Sequence, residues 1–312
     1  MANAPVQIKT RRDVWKLPAG DSTLAWYARA VAAMQTRPAS DPGSWQYQAN
    51  IHGSMLDPAS FTQEQLLDWD QCQHATWYFL PWHRMYLAIF EQIVARTVAR
   101  LGGPAGWALP YWNYSDGSNP DAWKLPPAFV ATKTDFSDSN PLRVARDQGN
   151  DGENVLDARS VSLACLKQAS FVDGPAGSSS GFGGPQRGFN HVGDAYQGQL
   201  EQVPHDQVHA DIGGLMGDPD TAAQDPIFWL HHANIDRLWD VWLRRDPRHT
   251  NPASAQWLTS VAFNLRDSDG NPLTMRPAQV LDTTVAPLFY QYEDVSDPFA
   301  ASGRTQKEKT HG

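Results

Sequence analysis

Six of the chain's ten histidines fall into two sets: His52, His74 and His83, and then His205, His209 and one of the adjacent pair His231 and His232. Histidines four apart on a helix project from one face, so His205 and His209 can share one metal ion. Taken alone, that spacing describes many ordinary surface or core pairs. A third imidazole follows on a helix opened by Asp225 as N-cap and Pro226 at the first helical position, running to about Arg245. On it His232 lies in line with Phe228, Ile235, Trp239 and Trp242, a stripe expected to face the core. His83 stands at the head of the clearest helix, Trp82–Leu101, ahead of an apolar face of Tyr86, Phe90 and Ile93. A buried imidazole needs its nitrogens satisfied by a hydrogen bond or a metal. Distant stretches must therefore converge on one interior site, which predicts a mainly α fold: a four-helix bundle core, long loops and few short strands.

The rest of the chain fits around that core. Apolar spacing predicts helices over Thr23–Met34, Trp45–His52 and Glu201–Ala210, and Gly102-Gly103-Pro104 closes the long helix. Residues 120–188 are rich in Gly, Pro, Ser and Asp, and within them 174–185 is the best candidate for a mobile loop. From Thr259 to Tyr292 the pattern shifts to short extended pieces and turns. The reading is one catalytic domain over 1–312, with its core at about 11–292 and a partly disordered tail over 293–312. The 13 tryptophans are read mainly as core and loop packing, with some free to wall a pocket for a planar molecule.

Composition excludes several classes of partner. A net charge of −9 with no basic stripe argues against nucleic acid. No run approaches the roughly 18 apolar residues that a membrane span needs. The segment Met1–Gln7 lacks the apolar core of a signal peptide, which does not settle location: cytoplasm and export with a partner both stay open. Two cysteines, Cys72 and Cys165, rule out a disulfide framework.

Ligand chemistry narrows the metal. Neutral imidazole suits copper, zinc, nickel or iron. A carboxylate-bridged di-iron centre would need Glu and Glu-x-x-His on its helices, a pattern the sequence lacks. One catalytic zinc would use three ligands and leave a second set unexplained. Two all-histidine trios leave each metal an open face, which suits dioxygen bound between two cuprous ions, so two copper ions are the expected cofactor.

Larger motifs now carry a resemblance. His74-Ala-Thr-Trp-Tyr-Phe-Leu-Pro-Trp-His83-Arg84 resembles the first copper-site signature of the tyrosinase and catechol oxidase family. Pro204-His205-Asp206-Gln-Val-His209, with Asp225-Pro226-Ile-Phe-Trp-Leu-His231-His232-Ala-Asn-Ile-Asp236-Arg237, resembles the second. Leu109-Pro-Tyr-Trp-Asn, and Tyr290-Gln-Tyr292 with an N-terminal arginine (Arg11 or Arg12), are similar to further landmarks.

The resemblance implies that His52, His74 and His83 bind one copper and His205, His209 and His232 the other. His231 becomes a neighbour of the ligands, and Phe228 packs the pocket. It implies a thioether between Cys72 and His74, a water ordered by Glu201, and a role for Asp206 beside the first ligand of the second site. Blander readings are a free buried thiol, a first-turn helix glutamate and a solvated aspartate. The implied activity is oxidation of o-diphenols to o-quinones with dioxygen, with weaker ortho-hydroxylation of monophenols. A small phenol is the expected partner, together with a copper-delivering protein. The alternatives are an o-aminophenol oxidase, a haemocyanin-like oxygen carrier, and a zinc-loaded or metal-free relative. The 20 residues after Tyr292 are too few for the C-terminal lid of many relatives.

Overall fold

In chain order the elements are β1 (Lys9–Arg11), α1 (Thr23–Gln35), α2 (Trp45–His52), α3 (Gln63–Asp68), α4 (Phe79–Arg100), α5 (Pro127–Val130), α6 (Gln207–Ile212), α7 (Ile227–Arg245), α8 (Ala255–Leu258), β2 (Phe263–Arg266), β3 (Pro272–Met275) and β4 (Tyr290–Tyr292). They are those of a computed structural model, which describes residues 7–173 and 179–300. Helix α4 packs on α1 and α7, and α1 packs on α2, so the core is helical. Among the described residues two small sheets accompany it: the antiparallel pair β2–β3, and β1 running parallel to β4 with Arg11 opposite Tyr292. The N-terminal strand is thereby stitched to the end of the domain, across the outside of α4 and α7.

Local chemistry sets the helix ends. Helix α4 starts at Phe79, three residues before the expected Trp82, because Pro81 in its first turn needs no backbone partner for its nitrogen. It stops where Gly102 turns left-handed, at φ +85°. The start of α7 is pinned by Asp225, whose Oδ1 accepts the Ile227 N–H at 3.0 Å while Arg146 grips both carboxylate oxygens at 2.7 Å.

Two expectations need correction. The helix expected over Glu201–Ala210 is broken: Glu201–Asp206 forms a wide π-type turn with Val203 extended at φ −147°, ψ 122°, and regular helix resumes only in α6. Pro204 is the cause, since a residue before proline is pushed out of the helical region. Of the expected mobile loop, 174–178 lie outside the described residues, but Ser180–Gly184 are buried and Phe182 stacks on Trp242 at 4.5 Å. The glycines there allow close approach rather than freedom; a Cβ on Gly183 would meet the Phe171 ring at 2.3 Å. The tail begins with fixed contacts. Glu293 accepts the Asp13 N–H at 2.6 Å and Asp297 pairs with Arg245, while 301–312 lie outside the described residues.

Candidate metal centre

Four helices, one broken turn and one irregular stretch deliver the histidines. His52 ends α2, His83 sits in the second turn of α4, His209 lies on α6 and His232 on α7. His205 lies on the broken turn just after Pro204. His74 comes from the stretch between α3 and α4, where the next residue, Ala75, is left-handed at φ +51°. The rings of His52, His74 and His83 lie 5.3–5.7 Å apart, centroid to centroid. Those of His205, His209 and His232 lie 4.6–5.3 Å apart. The trios face each other, with His83 stacked on His232 at 4.8 Å. Donor atoms from both trios come within 4.8 Å of one another, as in His52, His83 and His232, so the six form one centre.

Their hydrogen bonds all point outward. Nδ1 of His52 meets the Pro219 carbonyl at 2.9 Å, that of His83 the Phe79 carbonyl at 2.8 Å, and that of His209 the Met216 carbonyl at 2.8 Å. His232 uses the Phe228 carbonyl at 3.0 Å, His74 the His191 carbonyl at 3.2 Å, and His205 the Asp206 carboxylate at 2.7 Å. Since each partner is an acceptor, each Nδ1 carries the proton and each Nε2 turns a lone pair inward. Among the described residues, Nε2 of His52, His83 and His209 is buried with no partner. Nε2 of His205 lies 3.0 Å from Nε2 of His232, lone pair against lone pair. Such a contact is repulsive until a cation sits between the donors.

Burial keeps the rings neutral, as metal binding requires. It pushes His52, His83, His205 and His232 well below the usual imidazole range, with their neighbours' repulsion adding to it. His74 falls to about 4 for the same first reason.

The remaining candidates surround these rings. A cleft of 280 Å³ reaches the centre and is lined by His52, His74, Val192, Glu201, His205, Asp206 and His209. Glu201 is buried; one carboxyl oxygen accepts the Ala75 N–H at 2.7 Å and the other has no partner. It thus pins the strained turn that aims His74, and burial raises its pKa well above the usual carboxyl range. Asp206 is more than solvated surface: it fixes the tautomer of His205 and is itself held by Gln197. Phe228 lies behind the rings rather than in the cleft, stacked on His232 at 3.8 Å and edge-on to His52 at 4.9 Å. His231 is fully buried, 4.9 Å from both His209 and His232, and neither ring nitrogen has a partner. Cys72 Sγ lies 3.4 Å from His74 Nδ1 and closer, at 3.0 Å, to Nδ1 of His191. His191 went unread in the sequence because no spacing or motif ties it to the others.

Comparison with known proteins agrees with this geometry. Residues 42–245 match the model for the common central domain of tyrosinase. Tyrosinase HcTyr1 of Hahella sp. (strain CCB-MM4) is 42% identical over 305 residues, covering 91% of this chain and 63% of that protein. Aureusidin synthase of Antirrhinum majus is 28% identical over 311 residues, covering 92% of this chain and 52% of that protein. Grenache (Vitis vinifera) polyphenol oxidase superposes with a TM-score of 0.68 at 26% identity, over 92% of this chain and 85% of that one. Latent apple tyrosinase shares the fold, with a TM-score of 0.72 at 24% identity over 96% of this chain and 65% of that one.

An all-histidine centre inside a helical core defines a type 3 copper protein, and this chain belongs to the tyrosinase family. The chain spans between about half and two thirds of the length of the curated relatives it matches. The cofactor of the family is a pair of copper ions. The donor set fits it: neutral imidazoles only, with converging buried Nε2 atoms that lack any other partner. Among the described residues, no helix is long and apolar enough to cross a membrane.

Proposed function

We propose that this chain, acting as one catalytic domain, oxidises o-diphenols to o-quinones with dioxygen, and more slowly hydroxylates monophenols ortho to their hydroxyl. His52, His74 and His83 would hold one copper ion, and His205, His209 and His232 the other. The observation that carries the reading is the outward tethering of all six Nδ1 atoms. When bound, the copper pair supplies dioxygen binding and accepts electrons from the phenol. In the balanced reaction two catechols and one dioxygen give two o-quinones and two waters.

The protein's own groups orient the substrate and move its protons. The cleft admits a flat ring beside His52, His74, His205 and His209, with Val192 as an apolar wall. Glu201 is part of the lining of the same cleft, and its unpartnered oxygen can hold a water for the phenolic proton. Two cations nearby would draw its raised pKa back down, leaving a carboxylate able to accept. Asp206 keeps His205 aimed. The same reading places a thioether between Cys72 and His74: the sulfur already lies against that ring, and the bond would release it from His191. Intact mass after metal removal, lower by two hydrogens, detects it.

An oxygen carrier fits less well, because a cleft with a proton acceptor opens onto the centre and the relatives are named for phenol oxidation. The test is turnover of catechol, tyrosine, tyramine and 2-aminophenol by copper-loaded protein, followed by quinone absorbance. Catechol turnover above the monophenols is expected. Preference for 2-aminophenol would move the protein to the aminophenol oxidases, and no turnover of any of them would overturn the reading. Loading with copper salt alone, against loading with a copper-delivering partner, is read in the same assay.

A further inference from the structure

We propose that a line of aromatic side chains running outward from the histidine centre carries oxidising equivalents away from it, giving the protein a protective electron relay in addition to phenol oxidation. The proposal rests on the copper reading above. Trp82 touches the first trio, 4.8 Å from the His83 ring and 6.1 Å from that of His52. Tyr86 follows at 4.9 Å and Trp229 at 4.8 Å from Tyr86. Trp229 lies face to face with Phe90, at 3.3 Å and 7°, and edge-on to Trp45 at 6.2 Å. Trp82, Tyr86 and Trp229 are wholly buried, whereas Trp45 reaches solvent with 6% exposure. The line thus runs from the centre to its least buried member, Trp45, and none of its members belongs to the cleft lining.

Hydrogen bonding decides what the inner indoles of this line do on losing an electron. A buried indole N–H usually finds an acceptor. Trp107, Trp112, Trp239, Trp242 and Trp257, which pack elsewhere, all do. Trp82 and Trp229 do not; Trp15, Trp69 and Trp77 share the open N–H but lie off the line. An indole that loses an electron beside no base keeps its proton. It stays a strongly oxidising cation and passes the deficit on, where a deprotonated radical would trap it. The Tyr86 hydroxyl donates to the Gln48 carbonyl, which is too weak a base to take its proton, so Tyr86 serves as a bridge between the two indoles. Trp45, the outer member, donates its N–H to the Gln224 carbonyl at 3.2 Å and is the one indole of the line with any exposure, 6%, so the deficit ends there.

The chemistry balances with hydrogen peroxide as oxidant and an enediol such as ascorbate as reductant. Hydrogen peroxide takes up two electrons and two protons and becomes two waters, a reduction that copper held by the six histidines would supply. The electrons arrive singly through Trp82, Trp229 and Trp45. Ascorbic acid at the surface replaces them, releasing the two protons and leaving dehydroascorbate.

Copper-loaded protein without phenol is mixed with hydrogen peroxide and read two ways: rapid-freeze EPR for a tryptophan radical, and peptide mass for oxygenated residues. The expected result is a tryptophan radical, oxygenation concentrated at Trp45, spared histidines, and suppression of both signals by ascorbate. Trp229→Phe should abolish the Trp45 product and move damage to Trp82 or His52. Because that variant empties a packed position, Trp45→Phe serves as a second test: it should prolong the radical while leaving initial catechol turnover unchanged. Equal oxygenation of Trp45 in wild type and Trp229→Phe, or absence of any tryptophan radical in protein holding two coppers, would overturn the relay alone. A sample that binds no copper would remove the relay together with the reading beneath it.

Discussion

Helices α4 and α7 carry two buried polar clusters side by side, and the clusters are built on opposite rules. On α4 His83 adjoins Arg84; on α7 His232 lies one turn before Asp236. The second cluster is saturated. Asp236 accepts from Arg84 at 2.5 Å, from the Tyr290 and Tyr292 hydroxyls at 2.6 Å each and from Arg11 at 3.3 Å, while Arg11 also bonds Glu91 at 2.8 Å. Burial alone would raise the Asp236 carboxyl, yet Arg84 and Arg11 hold it below its ordinary value. No side-chain polar atom of this cluster lacks a partner, whereas the histidine cluster leaves its inward Nε2 atoms open. Saturated buried charge fixes the frame; unsaturated buried nitrogen marks where a ligand belongs.

Substitutions in the two clusters should therefore fail in opposite ways. His209→Ala should halve copper content, from two ions to one per chain, and abolish catechol oxidation. Metal-free stability should fall by only about 1–3 kcal/mol, since the ring takes with it one hydrogen bond to the Met216 carbonyl and an Nε2 that has no partner; atomic absorption and a thermal melt check both halves. Asp236→Ala strands two buried arginines and should cost about 3–5 kcal/mol of unfolding free energy, with copper per folded chain unchanged. A denaturant titration beside a copper assay decides it.

Acid should expose the histidine cluster before the charge cluster. His74 has its pKa lowered to about 4, so between there and the usual imidazole value the unfolded chain binds the proton that the folded chain refuses. Stability rises with pH across that window and is lost as pH falls through it, by about 3 kcal/mol for this one ring. Melts of metal-free protein from neutral to mildly acid pH test the sign; flat melting would contradict it. Glu201→Gln keeps an acceptor for Ala75 but loses the basic oxygen, so monophenol hydroxylation should drop about a hundredfold, and catechol oxidation less. Parallel kinetics on tyramine and catechol measure that split. The smallest effect falls on Asp206→Ala, which frees the His205 ring and should weaken copper at the second site about tenfold, as read by competition with a chelator.

The same contrast explains what the sequence made legible. Helical spacing gave away His205 and His209, and Asp225-Pro226 marked the start of α7 to within a residue, because both are local signals. The motifs around His74 and His83 carried the first trio through resemblance. Long-range contacts left no such trace. Nothing in the sequence says that Glu201 bonds the N–H of Ala75, or that His191 meets Cys72. The break at Val203 was signalled by Pro204 but hidden by the apolar spacing around it. Phe182 sits among glycines and serines that read as a loose loop, and only its stack on Trp242 shows that they make room for a ring.

The most direct test is a crystal structure of copper-loaded protein with anomalous data at the copper edge. It should show two ions, one on Nε2 of His52, His74 and His83, the other on Nε2 of His205, His209 and His232, with His231 unligated. A single ion, ligation through Nδ1, or His231 in place of His232 would contradict the account.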